Sequence, residues 1–369
     1  MQQFLKDLKG KLSRALTSSE DLAEFTELAG VLLADGNLVF SSGGCGIWHL
    51  RLNVPFDTFI ADSEWGIDLA AKPEIVGEDF LRCNLEAAKG VAVFLKEEVL
   101  EKGLPVMFLH VLRASKGYML HEALRTLGIE LIEVWIRPRY IVSGYGDHST
   151  GGVEVRAKDF SALERAVDSG EVALVVADTV ASGKTLMRCL CEALNELKVR
   201  GLHLVQLVVY GFISLEGLTR INPIAKRTYV VAIEDYAALA SNGYDMPLYG
   251  VDRALYERTG ELHSLGGVTV PEAFERLVIE YAPGMDQPGD WSERQHVLLS
   301  ENGFETGNIR LHLERSLETL RSLKELTRKA PWYKAWMENT FATREAALQA
   351  RLATFGAVGF PSVEGRELL

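Results

Sequence analysis

Residues 171–187 read EVALVVADTVASGKTLM, and the kind of phosphate this stretch is built to hold decides the fold. From Val172 to Ala177 the chain is continuously apolar over the length of a strand, the pattern of a strand buried on both faces. The polar residues that follow pass directly into a helical pattern starting near Thr185. Gly183-Lys184-Thr185 invites a nucleoside-triphosphate loop, but that motif needs a second glycine five residues earlier, where Asp178 stands. An aspartate there would face the polyphosphate. The residues suit a single phosphate dianion better. The backbone N–H groups of Ala181, Ser182, Gly183, Lys184 and Thr185, the hydroxyls of Ser182 and Thr185, and the positive end of the helix dipole all converge on one place. Each charge-assisted hydrogen bond contributes roughly 1.5–3 kcal/mol, so a few of them outweigh a dipole term of about 1 kcal/mol. Asp178, one turn away, suits the adjacent hydroxyls of a pentose, because an ionised acid accepts from both.

Working outward, apolar runs recur at 104–112, 129–136, 202–212 and 228–234, joined mostly by helical stretches at 78–100, 116–127, 161–168, 184–199 and 215–221. The pattern predicts an α/β domain, an open parallel sheet with helices on both faces. Ligands of such sheets collect at the carboxyl ends of the strands, so the loops after 112, 136, 177, 212 and 234 are where chemistry is expected. The segment 137–157 interrupts the alternation with glycine, serine and a few β-formers, the composition of a loop that covers a site. Residues 1–35 read as a helical packing arm, with Phe4, Leu5, Leu8, Leu12 and Leu16 near the helical period, while 36–72 could be a hairpin or an irregular cover. Beyond about 270 the composition turns helical, at 308–330 and 332–355, after the turn-rich PGMDQPGD at 283–290. The expected organisation is a helical arm and irregular segment over 1–72, the α/β domain over 73–268 and a helical C-terminal extension over 269–369.

The chain has 369 residues, 47% hydrophobic and 24% charged, enough for a sizeable core and the composition of an ordinary globular protein. Its formal charge of −12 argues against a nucleic-acid surface or an anionic membrane as partner, since the mean field repels both. No run is long enough to cross a bilayer, and the first residues lack a secretory apolar region. Cys45, Cys83, Cys189 and Cys191 show no paired spacing and read as buried thiols of a reducing cytoplasm. His110, His121 and His148 have no Cys or acid at ligand spacing and are expected neutral; no protein metal site is expected.

The run Ala177, Asp178, Thr179, Val180, Ala181, Ser182, Gly183, Lys184, Thr185 resembles the 5-phosphoribosyl 1-diphosphate (PRPP) loop of type I phosphoribosyltransferases, with one acid where that family has two and Lys184 for its second glycine. Three other stretches resemble the uracil branch of that family. In HVLRASKGYML at 110–120, Leu112, Arg113, Ala114 and Gly117 match its diphosphate-contacting segment. Arg137 and Arg139 stand where its flexible loop begins. AIEDYAALASNGYDMPLYGVD at 232–252 follows the rhythm of its base-binding tail, through Gly243, Tyr244, Asp245, Tyr249 and Gly250. The likeness covers about 75–255 in the same order. The chain departs from the uracil branch at Ala177, where that branch keeps its acid. The resemblance implies transfer of the phosphoribosyl group of PRPP to a ring nitrogen of uracil or a related heterocycle, with Mg²⁺ bound along with PRPP and a homodimeric assembly. It implies catalytic roles for Asp178, Arg113 and Arg137, and PRPP contacts from Arg113, Ala114, Arg139, Asp178 and Ala181 to Thr185. The competing expectation is a non-catalytic PRPP-binding sensor or assembly protein whose helical tail recruits a partner.

Overall fold

The computed structural model describes residues 19–141 and 152–357. Phe4, Leu5, Leu8, Leu12 and Leu16, His148 and the tip of the 137–157 segment lie outside the described residues. The strands are β1 (Leu32–Leu33), β2 (Gly36–Ser42), β3 (Cys45–Leu50), β4 (Asp57–Asp62), β5 (Val106–Val111), β6 (Leu131–Ile141), β7 (Gly152–Asp159), β8 (Glu171–Ala177), β9 (His203–Ser214) and β10 (Arg227–Ala237). Shorter pieces follow as β11 (Tyr249–Val251), β12 (Ser264–Gly266), β13 (Val268–Thr269), β14 (Leu298–Ser300) and β15 (Gly303–Glu305).

The main sheet has the order β2-β3-β4-β10-β9-β8-β5-β6-β7. Strands β4, β10, β9, β8, β5 and β6 run parallel, as expected for the five apolar runs, which form β5, β6, β8, β9 and β10. Alternation across these strands feeds two cores. Phe108, Val175 and Ala177 pack on one face with Phe80, Ala87, Leu120 and Phe274, and Met107, Leu109, Leu174 and Val176 pack on the other with Leu163, Leu186, Leu190 and Leu218. The first face is covered by helices Glu78–Phe94, Leu120–Thr126 and Pro271–Glu280, the second by Lys184–Val199 and Leu215–Arg220.

Two stretches differ in part from the sequence reading, of which the hairpin alternative for 36–72 holds for β2 and β3. Residues 36–62 extend the sheet: β2 and β3 form an antiparallel hairpin, and β4 adds a parallel strand beside β10. Much of β2 is exposed, so it lacks the continuous apolar run that reveals a buried strand. In the 137–157 segment, β6 continues to Ile141 and β7 returns antiparallel from Gly152, so its flanks are a half-exposed edge ladder in which polar residues are tolerated. Cys191 is exposed, whereas Cys45, Cys83 and Cys189 are buried. No helix among the described residues is long and apolar enough to cross a membrane.

Strand order reverses between β5 and β8. From β5 the chain steps outward to β6, and from β8 it steps the other way to β9 and β10. This is the crevice where open α/β sheets bind ligands, and it brings the loops after Val111 and Ala177 together.

Beyond β13 the chain returns to this crevice before forming the helices Ile309–Thr327 and Met337–Ala357. Arg294 fixes its path. Fully buried, it donates to the carbonyls of Leu69 (3.3 Å), Lys72 (3.1 Å), Ile75 (3.1 Å) and Pro288 (3.1 Å). Its guanidinium also lies 4.5 Å from the centre of the Phe80 ring. Burial pulls its pKa down to about 10, so it remains charged at neutral pH. Arg294→Met should lower stability by about 3–5 kcal/mol, because the four carbonyls lose their donors, and denaturant unfolding should show it as a reduced midpoint. A midpoint unchanged from wild type would contradict this role.

Candidate functional site

The turn after β8 is held from behind by the end of β9. Asp178 N donates to Tyr210 O (3.0 Å), Val180 N to Phe212 O (2.8 Å) and Ser214 N to Val180 O (2.9 Å). Ser214 Oγ donates to Ala181 O (2.6 Å) while accepting from Gly217 N (2.8 Å). A side chain at Gly211 would place its Cβ 2.2 Å from the carbonyl oxygen of Asp178, so only glycine lets β9 approach this closely. Gly183 adopts φ 72° and opens the helix Lys184–Val199, turning the preceding backbone outward. Among the described residues, nothing accepts a hydrogen bond from the backbone N–H of Ala181, Ser182, Gly183 or Thr185. Ser182 Oγ lies 3.1 Å from the Tyr140 hydroxyl. An anion at this helix start would meet a row of unclaimed donors.

The turn forms one wall of a cleft of about 350 Å³ at the switch point. Asp178, 5% exposed, lines it. Burial raises its carboxyl to about 7 against the opposing Thr179 N–H bond, so protonation and ionisation are nearly balanced at neutral pH. Thr179 is held by the Tyr118 hydroxyl at 2.6 Å. Lys184 is half-buried at the first helical position and does not line the cleft.

Arg113 and Arg137 both line it, together with Ala114. The Leu112–Arg113 peptide bond is cis. Arg113 pairs with Glu305 (2.9 Å) and Glu293 (3.2 Å), and Arg137 with Glu301 (3.0 Å) and the Leu112 carbonyl (3.1 Å). These acids come from the C-terminal segment around β14 and β15. Partly exposed pairs of this kind contribute about 1 kcal/mol or less each, so a polyanionic ligand can displace them. Arg139 is exposed, opposite Glu154 on β7, and does not line the cleft.

Of the five residues expected at the acceptor end, Tyr244 lines the cleft and donates to Asp290 at 3.0 Å. Asp245 is turned onto Asn242 (3.0 Å), and Gly243, at φ 67°, belongs to the same turn without reaching the cleft. Tyr249 is fully buried against Phe25, Tyr281 and Trp332, and Gly250 packs against the backbone of Gly284. Tyr249 and Gly250 are core residues here. The opposite wall is instead made by Asp286, Pro288, Gly289, Asp290 and Trp291, which the sequence reading took as a turn between two regimes. Trp291 stacks on Tyr118 with centroids 4.2 Å apart. Paired acids and a tryptophan inside the turn-rich PGMDQPGDW were the available signal.

His110 and His121 are buried on β5 and the following helix. Burial pushes His110 down to about 3 and His121 in the same direction, so both are neutral, and His110 lies 2.8 Å from Glu133. Among the described residues, no three His, Cys, Asp or Glu side chains have the arrangement to hold a metal ion.

Comparison with solved structures finds a hypoxanthine phosphoribosyltransferase from Staphylococcus aureus, 16% identical over 43% of this chain and 76% of that one, with a TM-score of 0.28. It also finds the Trypanosoma cruzi hypoxanthine phosphoribosyltransferase in complex with IMP, 23% identical over 42% of this chain and 76% of that one, with a TM-score of 0.25. At these scores the likeness carries no weight for fold or activity. No protein-family model and no curated protein matches the chain.

The raised carboxyl of Asp178 fixes the sign of a pH effect. Its proton is held in the folded state from the unfolded pKa of about 4 up to about 7, so the stability it lends by staying neutral is lost as pH rises through that window. Thermal denaturation of wild type and Asp178→Asn between pH 4.5 and 8 should show wild type losing ground steadily, then levelling off. A pH-independent difference would contradict the buried, protonated state.

Proposed function

We propose that the chain is a phosphoribosyltransferase that transfers the phosphoribosyl group of PRPP to a ring nitrogen of a nucleobase-like heterocycle, uracil or a relative of it. One observation carries this reading: among the described residues, unclaimed amides of Ala181, Ser182, Gly183 and Thr185 open a helix at the sheet's switch point, beside a buried carboxyl within the same cleft. A phosphate on a sugar and the hydroxyls of that sugar match these two features together.

The chain's own residues then divide the work. The backbone of 181–185 with the Ser182 and Thr185 hydroxyls holds the 5′-phosphate. Asp178 accepts from the ribose hydroxyls and so aligns C1 with the acceptor. Arg113 and Arg137 exchange Glu293, Glu301 and Glu305 for the diphosphate and stabilise its charge as the C1–O bond breaks and the new C1–N bond forms. The acceptor's ring proton leaves to solvent. Among the described residues the cleft offers Mg²⁺ no preassembled set of protein ligands, so the ion would arrive with PRPP and would supply charge neutralisation for the departing diphosphate. A homodimer in the cytoplasm accompanies this reading.

The glutamate pairs on Arg113 and Arg137 favour one second reading, a PRPP-binding sensor in which those pairs persist and turnover does not occur. Incubating the full chain with PRPP, Mg²⁺ and a panel of bases separates the two: diphosphate release with any base supports transfer, and binding without release supports the sensor. Both readings require the phosphate cup. Ser182→Ala removes one charge-assisted bond, so the Kd for ribose 5-phosphate by calorimetry should rise about ten- to hundredfold. An unchanged Kd, or no binding by wild type, would remove both.

A further inference from the structure

Most charged side chains around the cleft are answered from within the chain. Arg113 and Arg137 have their glutamates, and Asp290 accepts from Tyr244 (3.0 Å) and Arg315 (3.4 Å). Asp178 belongs to the pentose end. Asp286 is different. One oxygen accepts from Met246 N–H at 2.7 Å; among the described residues no cation reaches ion-pair distance and no donor meets the other oxygen. The carboxyl is also held still. The next residue, Gln287, donates its backbone N–H to Met246 O (3.3 Å) and its Nε2–H to the buried Asp235 (2.7 Å). Tyr281 ties down Met285 on the other side through a hydrogen bond to its carbonyl. Pro288 and Trp291 supply flat, largely apolar surface to the same wall, with Tyr244 nearby. Burial and the nearby Asp245 and Asp290 carboxyls push the pKa of Asp286 up. This rigid carboxyl, open to a flat-walled cleft, is therefore suited to a planar ligand that brings its own donors and thereby restores the ionised form.

Resting on the phosphoribosyltransferase reading, we propose that Asp286 selects the acceptor, and that the acceptor is a planar heterocycle with a ring N–H next to an exocyclic amino group. Two adjacent N–H donors match the two oxygens of a carboxylate as a fork. The uracil edge has the wrong polarity: its ring N–H is flanked by carbonyl oxygens, which would meet the carboxylate oxygens with nothing between them. The chain would therefore discriminate at the position between the ring nitrogens, preferring amino over hydrogen and hydrogen over oxo.

The test is calorimetric titration of the full chain, saturated with ribose 5-phosphate, with 2-aminopyrimidin-4-one, pyrimidin-4-one and uracil, and with guanine, hypoxanthine and xanthine as the bicyclic set. The 2-amino compound of at least one set should bind about tenfold or more tighter than its 2-hydrogen partner, with the 2-oxo compound weakest. Asp286→Asn keeps an acceptor for Met246 N–H and should reduce that advantage to about threefold or less, with the Kd for ribose 5-phosphate unchanged. A preference for the 2-oxo compound, as a protonated Asp286 donating to a ring carbonyl would give, overturns the assignment. So does an unchanged ranking in Asp286→Asn, or no binding by any of the six compounds. Loss of ribose 5-phosphate binding by wild type would instead be a failure of the phosphoribosyltransferase reading itself, and the assignment would fall with it.

Discussion

The site depends on the grip that the end of β9 keeps on the turn after β8. Three backbone bonds and the Ser214 hydroxyl hold residues 178–181 from behind, so the turn's geometry does not need a ligand to maintain it. Because those bonds engage Asp178 N, Val180 N and the carbonyls of Val180 and Ala181, the next amides along the chain are left facing outward. A preorganised row of donors binds an anion without the entropic cost of ordering a loop. Gly211 makes the grip possible, since a Cβ there would lie 2.2 Å from the Asp178 carbonyl oxygen.

A second constraint builds the rest of the cleft. Buried Arg294 ties the C-terminal segment to carbonyls at 69–75, more than two hundred positions earlier in sequence, and so carries Asp286 to Trp291 across the switch point. The same segment delivers the glutamates that rest on Arg113 and Arg137. The cleft thereby has a positive end already shielded by weak, partly exposed pairs and an opposite wall whose acid has an open oxygen. Binding a polyanion at the first trades carboxylates for phosphate oxygens, an exchange that suits a ligand more highly charged than the acids it replaces.

The sequence disclosed what is local. Five strands were visible because each reads as a near-continuous apolar run, and the turn proposed to hold the phosphate stood out because its amide donors are consecutive residues at a helix start. The edge strands β2 and β7 were not, because half-exposed ladders accept polar residues and glycine without a periodic signal. The opposite wall of the cleft was missed for a different reason. Trp291 meets Tyr118 and lies across the cleft from Asp178 only after the chain has folded back over more than a hundred residues. Tyr249 illustrates the converse error: an aromatic-glycine pair near a strand end looks like a ligand contact, but Phe25 and Trp332, from opposite ends of the chain, enclose it in the core.

The central claim is that the amides of 181–185 and the carboxyl of Asp178 together hold a phosphorylated pentose. A crystal structure of the full chain with ribose 5-phosphate tests it most directly. The account requires the phosphate within hydrogen-bond distance of those amides and the Ser182 hydroxyl, with the sugar hydroxyls against Asp178. A phosphate bound elsewhere, or amides in the complex turned onto protein acceptors, would contradict it.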